Sequence, residues 1–401
     1  MSEPTISFDE ALAKVLAAAR RVKGEDRVPL REAAGRVLAE AVVSQINVPP
    51  LDNSSMDGYA VRCADVRAAG ARLPVSQRIP AGSVGHELAP GTAARIFTGA
   101  PIPPGADAVV MQERCARDGD VVTIDHVPEP GEWIRRAGED IRAGAEILPA
   151  GTLLMPQALG MAASVGKAEL KVFRRLSVGV LSTGSELTPP GQPLPPGGIY
   201  NSNRAVLCAL LEQAGCRVED LGDVEDTLEA TRSALRRAGA LHDLVLTSGG
   251  VSVGEEDHVK PAVTAEGELS IWNIAVKPGK PLAFGKVGNA DFIGLPGNPV
   301  SVFVSFSMLV RPFIRKCQGA APAAPHALSL VADFDWNKPA ARREFLRGRR
   351  NAEGHVELYP NQSSGVLTST VWGEGFVDVP AGQRIVKGDT VRFLPFCELF
   401  D

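Results

Sequence analysis

Three times between residues 180 and 301 an apolar run stops abruptly in glycine and small polar residues. The runs are Val180-Leu181-Ser182-Thr183-Gly184-Ser185-Glu186, Thr247-Ser248-Gly249-Gly250-Val251-Ser252-Val253-Gly254 and Gly294-Leu295-Pro296-Gly297-Asn298-Pro299-Val300-Ser301. Strand candidates at 176–181, 243–247 and 292–295 alternate with helix-period segments at 204–214, 228–238 and 300–316. Strands buried on both faces read as continuous apolar runs, and their alternation with helices predicts a three-layer α/β domain with a largely parallel sheet. In such a sheet the ligand sits at the carboxyl ends of the strands, where these three loops fall.

Glycine lets backbone N–H groups turn inward, and a following helix adds partial positive charge at its N-terminus, so loops of this kind cradle anions. Phosphate is the first ligand to expect; tight turns of any doubly wound fold are the plain alternative. The spacing departs from familiar nucleotide motifs. Gly249-Gly250 with Gly254 is not the dinucleotide fingerprint, and Gly279 to Gly285-Lys286 is one residue too long for a phosphate loop, with Val287 where a hydroxyl is needed. Beside the second loop stand Glu255, Glu256 and Asp257, and shortly after comes Lys277-Pro278-Gly279-Lys280-Pro281. Carboxylates with two converging ammonium groups suit a Mg²⁺-bridged phosphate, although charged residues in isolation are as often solvated surface.

At 401 residues the chain exceeds what one core supports, and two to four domains are expected. Phe8, Leu12, Val15 and Leu16 share a helical face behind a Ser7 cap with Glu10 three residues on, so a short amphipathic helix opens the protein. From about 43 to 150, short Val/Ile runs are broken by Pro80-Ala81-Gly82, Pro103-Pro104-Gly105 and Glu129-Pro130-Gly131, the pattern of a small β-rich unit. An Ala/Pro connector at 320–325 leads to a C-terminal β-domain with strands near 356–359 and 391–396.

The net charge of −5 gives no global basic field for nucleic acid or anionic lipid. No apolar run approaches a membrane span, and the acidic N-terminus reads as a cytosolic start. The six cysteines lack the two-residue spacing of zinc or dithiol sites and read as reduced thiols.

Asp52-Asn53-Ser54-Ser55-Met56-Asp57-Gly58-Tyr59-Ala60-Val61 and Thr98-Gly99-Ala100-Pro101-Ile102-Pro103 are polar loops that by chemistry alone could be Asx-type turns. Together with Gly138-Glu139-Asp140-Ile141, Ser182 to Leu187, Ser248 to Gly254, Lys277 to Pro281 and Leu295 to Pro299, in that order, they resemble the molybdopterin molybdenumtransferase family, MoeA. The likeness spans essentially the whole chain and extends to the E domain of gephyrin. It implies a multidomain α/β plus β protein. The expected parts are an N-terminal α+β dimerisation region at 1–44 and 141–172, a β-rich insertion at 45–140, a central three-layer α/β molybdopterin-binding domain at 173–318, and a small C-terminal β-domain at 319–401.

The resemblance further implies molybdenum insertion: adenylylated molybdopterin and molybdate yield molybdenum cofactor and AMP, with Mg²⁺. It puts Asp57, Thr98, Glu186, Asp226 and Asp257 in the catalytic cleft, with Glu186, Asp226 and Asp257 as metal-holding candidates. Ligand contacts fall to Thr183, Gly184, Ser248, Gly249, Gly250, Ser252, Gly254, Lys277, Lys280, Pro296, Gly297 and Asn298. A cytoplasmic homodimer is implied, with Asp57 and Thr98 acting across the subunit boundary. Transient contact with an adenylyltransferase or apo-molybdoenzymes is implied too.

Some positions stay open. Asp226 precedes a helix and can either cap it or reach the cleft, and Asp223 is a near neighbour. Arg342, Arg343, Arg347, Arg349 and Arg350 read as a solvated strand edge sooner than as phosphate contacts. In the C-terminal part, Gly365-Val366-Leu367-Thr368-Ser369 keeps the look of the family's Ser-rich turn, but Trp372-Gly373-Glu374-Gly375 departs from it. The rival readings are an adenylyltransferase, which uses the same α/β domain and the same ligand, and a non-catalytic gephyrin-like scaffold.

Overall fold

The computed structural model describes residues 5–250, 258–322 and 324–400. The opening helix, Phe8–Ala18, forms as the spacing predicts: the Ser7 hydroxyl accepts from the Glu10 N–H at 3.1 Å, and Phe8, Ala11 and Val15 are buried. Its apolar face meets the C-terminal sheet, where Phe8 and Phe345 pack edge to face.

The chain then builds a small unit from two segments separated by one insertion. Glu25–Pro29 pairs antiparallel with Glu169–Phe173, and Val42–Val43 with Glu146–Leu148, so segments from either side of residues 50–140 close on one core with the helix Pro156–Ser164. Between them lies a six-stranded sheet of Gly58–Val61, Ala71–Ile79, Ala93–Ile96, Ala108–Met111, Cys115–Asp118 and Val121–Ile124. Its two faces carry separate cores, one around Tyr59, Val110 and Ile124 and the other around Ala60, Ile79 and Ile96, as strand alternation requires.

The central layer is a seven-stranded sheet in which Ser177–Thr183, Leu244–Ser248 and Ala290–Leu295 run parallel and side by side. Arg217–Val224 joins Ser177–Thr183 in parallel. Gly267–Ile274 and Pro281–Val287 add two antiparallel pairings to a sheet whose other four pairings are parallel, so it is largely parallel, as expected. Leu207, Leu211, Val302 and Phe313 from the helices Ser202–Gln213, Pro299–Ser305 and Arg311–Cys317 cover one face. Leu235 and Ala238 from Leu228–Leu241 and Ala262 and Val263 from Val259–Glu266 cover the other, giving three layers.

The helix expected at 300–316 is interrupted by a π segment, Phe306–Val310. Pro312 lies in the first turn of the helix that follows and has no N–H to return to the Met308 carbonyl, which favours a local change of ladder.

The C-terminal sheet of Arg343–Arg350, Gly375–Val379, Thr390–Pro395 and Leu328–Val331 is tied to the central domain by Val276–Lys277, which pairs in parallel with Arg343–Arg350. All six cysteines are free thiols. No helix among the described residues is long and apolar enough to cross a membrane.

Candidate active site

The three glycine-bearing loops meet at the carboxyl ends of their strands and wall two adjoining cavities. The first, about 520 Å³, is lined by Thr183, Gly184, Glu186, Asp226, Ser248, Gly249, Gly250 and Gly297, together with Tyr200, Asn201, Asn203, His258 and Gly365. The second, about 800 Å³, is lined by Lys277, Lys280, Pro296, Gly297 and Asn298, with Arg342, Gln362, Ser363 and Ser364. Glu186, Ile199, Gly249, Gly250 and Gly297 belong to both walls, so the two form one continuous cleft.

Backbone geometry explains why glycine recurs. Gly249 and Gly250 have φ of 86° and 67°, the left-handed region that side chains with a Cβ rarely enter. At Gly184 a Cβ would come within 2.6 Å of the Glu186 carboxylate, which folds back over that glycine. The second and third loops nearly touch, since a Cβ on Gly297 would lie 3.8 Å from the Gly249 Cα. The Gly297 carbonyl accepts from the Asn203 amide at 2.7 Å, while the other end of that amide, Oδ1, is buried without a partner. An unpaired buried acceptor in a cavity wall is costly unless a ligand donates to it.

Charge is divided along the cleft. Among the described residues, the first cavity carries the carboxylates of Glu186 and Asp226 and no lysine or arginine, and the second carries Lys277, Lys280 and Arg342 with Glu186 as its one carboxylate. Lys277 is braced by the buried Glu344, 2.9 Å from its ammonium, and Glu344 in turn accepts from the Trp336 indole at 2.8 Å. Among the described residues Lys280 has no ion pair, which leaves its charge to the cleft.

The two open readings near Asp226 separate. The helix Leu228–Leu241 is capped by Thr227, whose hydroxyl accepts from the Ala230 N–H, and Asp226 lines the cavity. Asp223 is engaged elsewhere, accepting from Asn201 and Arg204, each at 2.9 Å.

The arginine run does not lie on a strand edge, because Arg343–Arg350 is paired on both sides, and its members have different surroundings. Arg343 pairs with Asp378 and Asp9, Arg349 with Glu357 and Arg350 with Glu374, while Arg342 reaches the cavity. Arg347 is fully buried, with Ser369, Phe345 and Ser363 as its acceptors, and burial pushes its pKa down to about 10. Gln362 accepts from the Arg347 N–H and donates to its carbonyl, which fixes the turn bearing Ser363 and Ser364 against the cavity. The C-terminal domain therefore does contribute to the cleft.

Asp57 and Thr98 meet away from these cavities, at one end of the inserted sheet. Asp57 Oδ1 accepts from both the backbone N–H and the hydroxyl of Thr98, each at 2.8 Å. Those bonds, with Arg95 nearby, hold the Asp57 carboxyl below its ordinary range.

Ser252, Gly254 and Asp257 lie outside the described residues. Sequence reasoning missed Tyr200, Asn201, Asn203 and His258; an asparagine immediately ahead of a helix was the available signal, since Asn201 caps Ser202–Gln213. Among the described residues no three His, Cys, Asp or Glu side chains converge as a metal-holding group.

The fold is that of a multidomain α/β protein with one continuous cleft at the carboxyl ends of its central strands. Residues 6–166 match the family model of the MoeA N-terminal region (domain I and II), 179–316 that of a probable molybdopterin binding domain, and 329–396 that of the MoeA C-terminal region (domain IV). The chain is 42% identical over 402 residues to the molybdopterin molybdenumtransferase of Haemophilus influenzae, covering 98% of this chain and 99% of that one. It is 39% identical over 366 residues to molybdopterin molybdenumtransferase 2 of Mycobacterium tuberculosis, covering 88% and 90%. The crystal structure of the molybdopterin biosynthesis moeA protein from Pyrococcus horikoshii OT3 aligns with a TM-score of 0.86 at 30% identity, over 98% of this chain and 100% of that one. The chain belongs to the molybdopterin molybdenumtransferase (MoeA) family and is a transferase.

Proposed function

We propose that this enzyme inserts molybdenum into adenylylated molybdopterin, converting it with molybdate to molybdenum cofactor and AMP. The observation that carries the reading is the division of charge along one cleft, with carboxylates at one end and Lys277, Lys280 and Arg342 at the other. A ligand with a pyrophosphate and a tetrahedral oxyanion needs cationic partners for the oxyanions. Carboxylates alone would repel it.

The donor set at the acidic end fits Mg²⁺. Glu186 and Asp226 share a wall with the hydroxyls of Thr183, Ser185, Ser202 and Ser248, all oxygen ligands, and no thiol intrudes. Mg²⁺ is commonly held by one or two carboxylates and completed by water and substrate phosphates. Glu186 and Asp226 would hold the ion, with Asp257 as a third carboxylate. Bound there, it supplies charge neutralisation and Lewis acidity at a phosphoryl oxygen.

The protein's own groups do the rest. Lys277, steadied by Glu344, and Lys280 neutralise the oxyanions, and the unpaired Asn203 Oδ1 accepts from a ligand N–H. Asp57 and Thr98 act on the same ligand from the second subunit of a homodimer. The enzyme works in the cytoplasm, receiving its ligand from an adenylyltransferase and passing cofactor to apo-molybdoenzymes.

Purified protein given adenylylated pterin, Mg²⁺ and molybdate should release AMP only with molybdate present, and the product should reconstitute an apo-molybdoenzyme. Asp257→Ala should abolish both while leaving the protein folded. Tight ligand binding with no cleavage by the wild-type protein would instead leave a carrier built on this fold.

A further inference from the structure

The inserted sheet carries a cationic feature that the cleft does not explain. Gly58–Val61 pairs antiparallel with Ala93–Ile96, setting Tyr59 opposite Arg95, and Ala71–Ile79 pairs in parallel on the other side, setting Arg78 beside Arg95. With side chains alternating along each strand, Tyr59, Arg95, Phe97 and Arg78 share one face, at the end where Asp57 and Thr98 meet.

On that face the Phe97 ring has two guanidinium neighbours, Arg78 at 4.5 Å and Arg95 at 4.7 Å from its centroid. Arg95 also stacks on Tyr59 at 5.3 Å and is pinned at both tips, donating to the Gly58 carbonyl at 3.1 Å and to Gln112 Oε1 at 2.6 Å. Among the described residues neither arginine has a carboxylate within salt-bridge distance. A guanidinium has five N–H donors, so two fixed bonds leave Arg95 with donors to spare. Its fork is already ordered, which lowers the entropic cost of capturing a ligand. Two like charges on neighbouring strands repel, and an anion relieves that repulsion.

We propose that Arg78 and Arg95 form an oxyanion-binding element that works beside Asp57 and Thr98, gripping either a phosphoryl group of the adenylylated pterin or molybdate. The assignment rests on the reading that Asp57 and Thr98 serve the insertion reaction. Phe97 is the spacer that keeps both planar cations side by side. Tetrahedral oxyanions suit this arrangement because Arg95 offers a rigid fork and the exposed Arg78 can swing to complete the contact.

Arg78→Gln and Arg95→Gln should each raise a KM roughly tenfold, the effect of losing one hydrogen bond to a charged group, with kcat within about twofold. A rise for adenylylated pterin alone identifies the phosphoryl group as the bound oxyanion; a rise for molybdate alone identifies molybdate. Unchanged KM for both substrates in both variants overturns the proposal. Thermal midpoints of the variants separate lost binding from lost folding, and Arg78→Gln, at an exposed position, stands if Arg95→Gln does not fold.

Subunit mixing keeps the premise separate. Asp57→Asn protein mixed with Asp226→Ala protein should regain activity, and failure despite demonstrated exchange counts against a shared cleft. Rescue in that mixture with unchanged KM in the arginine variants counts against the arginine element alone.

Discussion

Asp57 and Thr98, 41 residues apart, are joined by two hydrogen bonds of 2.8 Å to the same carboxylate oxygen, one from the threonine backbone and one from its hydroxyl. The backbone bond is the larger influence and the hydroxyl bond the next in holding the Asp57 pKa below 3.8. A depressed folded-state pKa means that this pairing favours the folded protein above the unfolded value and that the benefit is lost as pH falls through the folded one. Thr98→Val removes only the hydroxyl bond. The Asp57 carboxyl should then titrate at higher pH in carboxyl-carbon NMR, and an unmoved titration would show that the hydroxyl contributes nothing.

Gly184 and Glu186 make a tighter test of the cleft. With φ at 144° and the Glu186 carboxylate 2.6 Å from where a Cβ would stand, Gly184→Ala must displace that carboxylate. Misplacing a group at a reacting centre by about 1 Å costs on the order of a hundredfold in rate. Steady-state kinetics should show that loss mainly in kcat. A variant with wild-type kcat would mean Glu186 is free to move without consequence.

Arg347 invites a stability measurement. Its guanidinium serves Ser369, Phe345 and Ser363 at once from a fully buried position, with no carboxylate partner among the described residues. Lysine keeps the charge but has a single ammonium that cannot reach all three. Leaving a buried acceptor or donor unpaired costs about 1–3 kcal/mol, so Arg347→Lys should lower stability by about 2 kcal/mol in urea unfolding. The turn at Gln362 to Ser364 should loosen with it, weakening ligand binding; an unshifted midpoint would show that the turn is held by other contacts.

How far the sequence could be read follows from the range of each interaction. The three strand-to-glycine loops were legible because both the buried strand and the turn are encoded within eight residues, and all three line the cleft where they fall among the described residues. The helix cap at Ser7 was legible for the same reason. Arg347 was not. A run of arginines on a strand reads as solvated unless one knows that the strand is covered, and Arg343–Arg350 is paired with Gly375–Val379 on one side and Val356–Leu358 on the other. Asp226 was ambiguous because adjacent residues compete for the cap, and Thr227 takes it. The antiparallel strands Gly267–Ile274 and Pro281–Val287 escaped notice because glycine, serine and charged residues interrupt their apolar pattern.

Glu266 offers a test on the face of the central sheet that Leu228–Leu241 and Val259–Glu266 cover. It ends the helix Val259–Glu266, which begins next to His258 in the cavity wall, and its carboxylate accepts from Arg236 at 2.9 and 3.1 Å and from Arg232 at 2.9 Å. Arg236 first, and Arg232 after it, hold its pKa at about 2, against 4.5 for an ordinary glutamate. As pH falls below 4.5 the unfolded chain takes up this proton before the folded one does, so the stabilisation present at neutral pH drains away until the folded carboxyl also titrates near 2. Glu266→Gln has no proton to gain. Its thermal midpoint should start lower at pH 7 and fall less steeply between pH 4.5 and 2 than that of the wild type. Parallel curves would mean that the two arginines do not hold this helix, and that the wall bearing His258 is anchored by the Val259, Ala262 and Val263 packing alone.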